Sequence, residues 1–321
     1  MKSRLLFYLF IAIVIFVILF SGYQIKPKEL VVSDNSTWII DKYMPTSRSE
    51  VAAVALNGEV YVIGGFEADG STSTKVEVYN PKEDSWREVK ELPVPLHHVG
   101  AAVLDDEIYV IGGYEVGWVP SHKVFTYNPK NNAWGIGKSM PTARGALTVQ
   151  VLDRKIYAIG GATDRPLAIN EMYDPVADEW VKKRDMPTAR EHLASGVANG
   201  KIYVIGGRTT FGIGNLDVNE EYDPVSDSWV VRKPMPSKRG GIVGTSLNDS
   251  VYVFGGETAT NTFDDNEEYN VDTDSWIIRK PMPTARHGLS AAVIDNRIYV
   301  IGGGTSSGLS VSGKNEIFEV K

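Results

Sequence analysis

No cysteine occurs in the 321 residues. That excludes disulfides, thiolate metal centres, a cysteine nucleophile and the lipid-bearing cysteine of a bacterial lipoprotein, while leaving the compartment open. Histidine is scarce: five residues, His97, His98, His122, His192 and His287. None of them forms a His-x-x-x-His pair, and there is no aspartate-rich calcium loop and no Gly-x-Ser-x-Gly elbow. Gly302-Gly303-Gly304 is followed by no helical pattern, so it is not a phosphate loop. Neither a metal site nor a cofactor is expected. Positive charge is also short: Lys and Arg number 33 against 40 Asp and Glu, a net charge of −7. A general nucleic-acid binder is disfavoured.

One long apolar run stands out, Leu5 to Phe20, continued by Ser21-Gly22-Tyr23 without charge. Read as a helix at about 1.5 Å per residue, it just spans a bilayer core of about 30 Å. Lys2 and Arg4 precede it, which favours a cytoplasmic amino end. The expectation is a transmembrane signal-anchor over residues 1–23, a polar stalk over 24–36, and a domain over 37–321 outside the cytoplasm. A cleaved signal peptide is the rival; it would leave the domain secreted or periplasmic.

What is abundant is repetition. Lys201-Ile202-Tyr203-Val204-Ile205-Gly206-Gly207 recurs as Glu59–Gly65, Glu107–Gly113, Lys155–Gly161, Ser250–Gly256 and Arg297–Gly303. Both faces of each copy are apolar, as in a strand held between two layers. The double glycine permits positive φ or a close approach of another segment. Trp38, Trp86, Trp134, Trp180, Trp229 and Trp276 mark a period of 46–49 residues. Ten residues after each comes Arg48, Leu96, Arg144, Arg190, Arg239 or Arg286. Tyr79, Tyr127, Tyr173, Tyr222 and Tyr269 each stand seven residues before a Trp, and Phe318 takes the tyrosine place in the last copy. Asn57-Gly58, Asp105-Asp106, Asn199-Gly200, Asn248-Asp249 and Asp295-Asn296 supply tight-hairpin signals before the Gly-Gly strand.

Four strands at this period describe a β-propeller blade, with small residues such as Ala101-Ala102 and Gly240-Gly241 on the innermost strand. The double glycine, the Tyr and Trp seven apart and the strand-opening Arg resemble the kelch motif, in six copies over Thr37 to Lys321. The resemblance implies an all-β, six-bladed kelch β-propeller. Trp38 precedes the first Met-Pro and no Trp follows Phe318, so the Trp38 strand is expected to close the last blade and cover its edge.

Every change in repeat length falls between the second glycine and the Tyr, so the variable loops share a face with the Arg row. Binding sites on rigid scaffolds favour such loops. The candidate ligand-binding residues are Arg48, Arg144, Arg190, Arg239 and Arg286 at the channel mouth, with the loop aromatics Trp118 and Phe211. Guanidinium groups suit carboxylate, sulfate or phosphate, and aromatics suit sugar rings or apolar anchors. The expected partner is a protein or an anionic or glycan ligand at the mouth, with the chain monomeric. A structural alternative stands beside this: Glu77, Glu171, Glu220, Glu267 and Glu316 recur two residues before the Tyr position, where they can pair with the arginines. No catalytic residue is expected of a recognition module. Some exported six-bladed kelch proteins act on sialic acid as mutarotases, and that resemblance implies Glu50, His98 and His192, which share one repeat position, as acid–base candidates. Galactose-oxidase-like chemistry needs a Tyr–Cys crosslink, and the missing cysteine closes that route.

Overall fold

The computed structural model describes residues 35–210 and 213–320. The expected signal-anchor and nearly all of the stalk lie outside them, as does Phe211. Among the described residues every regular element is a strand, and no helix is long and apolar enough to cross a membrane.

Twenty-four strands form six antiparallel sheets of four, with one extra two-stranded hairpin, Tyr114–Glu115 and Val119–Pro120, in the second blade's variable loop. The first blade runs Ala52–Leu56, Glu59–Ile63, Val76–Asn80 and Ser85–Glu88. The sixth takes Ser290–Ile294, Arg297–Ile301 and Asn315–Glu319 from the carboxyl end, and its outer strand is Thr37–Ile40, with Trp38 opposite Phe318. The first strands of successive blades touch around a closed ring. They line a central channel of about 430 Å³.

The recurrent residues have matching jobs. The seven-residue interval makes Tyr and Trp direct cross-strand partners in the first five blades. Their rings stand 4.9–5.3 Å apart. Each Trp indole N–H donates to a backbone carbonyl in the preceding blade's exit link, Trp86 to Lys42 and, across the closure, Trp38 to Lys280. Each double glycine receives the next blade. A side chain at Gly64 would strike the Leu96 carbonyl, and that carbonyl accepts the Gly65 N–H; Gly302 and Gly303 stand in the same relation to Arg48. Both ladders run through all six blades, so the ring has no weaker seam. Strand two of each blade lies between its neighbours and is buried after its first residue, as in Val60, Val62 and Ile63.

Candidate functional site

The Arg row does not reach a ligand. Arg48, Arg144, Arg190, Arg239 and Arg286 have no accessible surface. Each pairs with the glutamate of its own blade: Glu77 at 2.7 Å, Glu171 at 2.6 Å, Glu220 at 2.5 Å, Glu267 at 2.6 Å and Glu316 at 2.8 Å. Other N–H groups of each guanidinium donate to carbonyls in or just past strand two, such as Val62 and Gly64 for Arg48, while the Nε of Arg48, Arg144 and Arg190 has no partner among the described residues. The arginines are struts that tie a blade's entry to its third strand. The second blade makes the point by omission: Leu96 replaces the Arg, Phe125 replaces the Glu, and both join one apolar cluster. The expectation of a guanidinium ring facing a ligand is therefore corrected: burial took the charges inside, where a partner is obligatory.

Two residues past each Arg position, the chain forms a second ring. Glu50, His98, Ala146, His192, Gly241 and Gly288 all have positive φ, between 51° and 70°. Each N–H donates to the carbonyl of the ring residue one blade back, His98 to Glu50 and finally Glu50 to Gly288, closing a circle of six bonds. This backbone conformation favours glycine, and the fifth and sixth blades use it. The first, second and fourth blades place Glu50, His98 and His192 there instead. Strained positions occupied by chemically capable side chains point to function.

These three side chains converge. The Glu50 carboxylate lies 3.1 Å from His98 Nε2 and 3.8 Å from His192 Nε2, and its other oxygen lies 3.4 Å from His287 Nδ1. They floor a mouth cavity of about 350 Å³ on the variable-loop face. Its wall is a third tier, where the residue after each Arg position bridges the residue after each double glycine. That bridging pairs Ser49 with Phe66, His97 with Tyr114 and Glu191 with Arg208. Arg208 donates to Glu191 at 2.7 Å and to Glu257 at 2.8 Å. Trp118, 57% exposed, covers one side at 5.7 Å from the Phe66 ring. Trp118 lines the cavity, and so do Glu191, Glu257 and His287, which spacing did not single out. Glu191 and His287 stand one residue past an Arg position, and Glu257 directly after a double glycine, so their repeat positions were legible though their convergence was not.

Electrostatics divide the site sharply. Burial disfavours the charged form of Glu50, yet the imidazoles of His98, His287 and His192 outweigh it and hold the carboxyl well below its usual range. Burial drives His98 well below the ordinary histidine value and His97 down to about 4. His287 moves up, because Glu50 and Glu257 outweigh its burial. Glu191, partly buried but facing His192 and Arg208, falls to about 2. Ionised carboxylates beside imidazoles of contrasting basicity can bind cations and polar hydroxyls or move protons.

The family model described as the KLHDC2/KLHL20/DRC7 Kelch-repeats domain matches residues 17–207, more than half of the chain. The Kelch motif model matches residues 189–236, 238–283 and 285–315. The chain belongs to the kelch-repeat family. A curated relative, Kelch-like protein 35 of Mus musculus, is 38% identical over 52 residues, which is 16% of this kelch chain and 9% of that protein. The chain thus spans a small part of that relative's length. The solved "Structure of YjhT" superposes with a TM-score of 0.73 at 19% identity, covering 86% of this chain and 96% of the other. At that identity the likeness is one of fold.

Proposed function

We propose that this kelch propeller is a recognition module, displayed outside the cytoplasm by its amino-terminal apolar segment, that takes a small polar ligand in the mouth cavity. The observation carrying this is the Glu50 carboxylate set among His98, His192 and His287 at the floor of a ligand-sized cavity, beneath the loops that vary between blades. The charge balance selects the ligand class. Glu50, Glu191 and Glu257 face a single guanidinium, Arg208, whose Nε and Nη1 already bond two of them. With the five strut arginines sealed away, a neutral or cationic polyhydroxylated compound fits better than an acid, and Trp118 and Phe66 offer faces for a sugar ring.

The test is calorimetry of the full-length protein against neutral sugars, amino sugars, uronic acids and sialic acid. Neutral or amino sugars should bind, and Trp118→Ala and Glu50→Gln should each weaken them at least tenfold. A preference for the acids, or indifference to both substitutions, sinks the proposal.

A second reading rests on the same convergence. His98 and His192 flank one carboxylate within proton-transfer reach of the cavity, as a sugar mutarotase requires. A sialic-acid form of that reaction lacks its clamp, because the recurrent arginines are closed, so a neutral sugar is the better substrate. Polarimetry decides it: a bound sugar whose anomers interconvert no faster with the protein than without it rules the enzyme out, and turnover unchanged in Glu50→Gln at saturating sugar removes Glu50 from the chemistry.

A further inference from the structure

The hydrogen bonds around the floor histidines leave their inner nitrogens with an unresolved neighbour. His192 Nδ1 lies 2.6 Å from Glu191 Oε2, and a carboxylate only accepts, so Nδ1 carries the proton. The other oxygen of Glu191 accepts from Arg208 Nε, which fixes the carboxylate in place. In the neutral ring, His192 Nε2 is then an acceptor, and it faces Glu50 Oε2, another acceptor, at 3.8 Å. His98 also turns Nε2 toward Glu50, but a second imidazole rather than a carboxylate faces its Nδ1, so its tautomer is not fixed by that contact. Its Nδ1 is engaged with His97 Nδ1 at 2.5 Å, and its Nε2 points at the same Glu50 oxygen at 3.1 Å. His287 offers a further nitrogen, Nδ1, which has no hydrogen-bond partner although the residue is only 2% exposed. It lies 3.4 Å from the second Glu50 oxygen. With the His98 proton on Nδ1, lone pairs of His98, His192 and Glu50 converge on one point, and a cation there would satisfy all three.

We propose that Glu50, His98 and His192 bind a divalent transition-metal ion at the floor of the mouth cavity. The donor atoms lie within 4.8 Å of one another. Atoms bound to one tetrahedral ion at about 2.0–2.1 Å stand roughly 3.3 Å apart, so a small closure of His192 completes the set. Two imidazoles and one carboxylate suit Zn²⁺, Co²⁺ or Fe²⁺ rather than Ca²⁺ or Mg²⁺, which prefer all-oxygen shells. Both imidazoles carry outer-shell partners on Nδ1, the arrangement that orients metal-binding histidines. Three protein donors on one side leave the cavity side open for a ligand oxygen. His287 is the nearest candidate for a fourth donor.

The inference shares the cavity with the sugar-binding proposal but is tested without any small molecule. Chelator-stripped, full-length protein is titrated with Co²⁺ and then with Zn²⁺. One Co²⁺ per chain should bind with visible ligand-field absorption and be displaced by Zn²⁺, whereas Mg²⁺ does neither. His192→Ala and Glu50→Gln should each weaken binding at least tenfold. Glu191→Gln, which disturbs the group holding His192 Nδ1 and also its bond from Arg208, should cost about 10–100-fold. His122→Ala, on an exposed loop, should change nothing. Melting in chelator checks that each variant folds, and His98→Gln replaces any that does not. Absence of Co²⁺ uptake, or equal uptake after His192→Ala, overturns the proposal. Loss of sugar binding with Co²⁺ uptake intact sinks the sugar proposal alone.

Discussion

At the scale of single residues, the recurrent arginine shows how burial reverses a plausible reading. A guanidinium near a channel mouth suggests anion binding, but each of these five is sealed and matched to a glutamate. Leaving either partner alone exposes the other's full desolvation cost, about 3–5 kcal/mol, whereas replacing both with apolar groups is often close to neutral. The chain already performs that experiment in its second blade with Leu96 and Phe125. Arg144→Leu should therefore lower the melting temperature by on the order of 10 °C. Adding Glu171→Phe should restore most of the loss. Calorimetric melts of the two variants check this, and a double variant no better than the single one counts against the strut assignment.

At the scale of the element, the turn between the third and fourth strands does more than reverse the chain. Five residues after each of the five tyrosines stands an Asp or Asn with positive φ: Asp84, Asn132, Asp178, Asp227 and Asp274. Asp227 accepts the Tyr222 hydroxyl at 2.6 Å and the Arg184 amide of the neighbouring link at 2.9 Å. Burial raises its pKa, but these two bonds outweigh that and hold it below the ordinary value of 3.8. A carboxyl depressed by folding adds stability that is complete above its unfolded value and is lost as pH falls through the folded one. Asp227→Asn keeps both acceptor bonds, as Asn132 does with Tyr127 and Lys90. The variant should melt close to wild type at pH 7 and lose less on acidification below about pH 4. Parallel melting curves at every pH would contradict this.

At the scale of the whole molecule, closure is the dominant fact. The amino-terminal strand Thr37–Ile40 completes a blade made by the carboxyl end, and Trp38 donates to Lys280 across the seam. Without it, Asn315–Glu319 becomes an open edge, and the interblade ladder loses one of its six indole bonds. Trp38→Ala should cost about 2–4 kcal/mol. Because blades are held only by their neighbours in the ring, the loss should appear as a lower cooperative transition rather than a separate early one. Thermal melts followed by tryptophan fluorescence and by circular dichroism together distinguish the two.

Much of this was legible in the chain because the period is covalent. Glycine pairs, the Tyr–Trp interval and hairpin dipeptides act through neighbours a few residues away, so four strands, six blades and a variable-loop face follow from spacing alone. Glu50, His98 and His192 could be placed on one repeat position for the same reason. Which side chains meet across the axis could not be read so directly. Glu50, His98 and His192 lie on three different blades, His287 on a fourth, and only the closed ring brings them within a few ångströms of one another. Nor does spacing say whether a recurrent charge is exposed. The arginines are buried because each folds back onto its own blade, where strand-two carbonyls and the strand-three glutamate take its N–H groups, while the imidazole–carboxylate cluster faces the cavity.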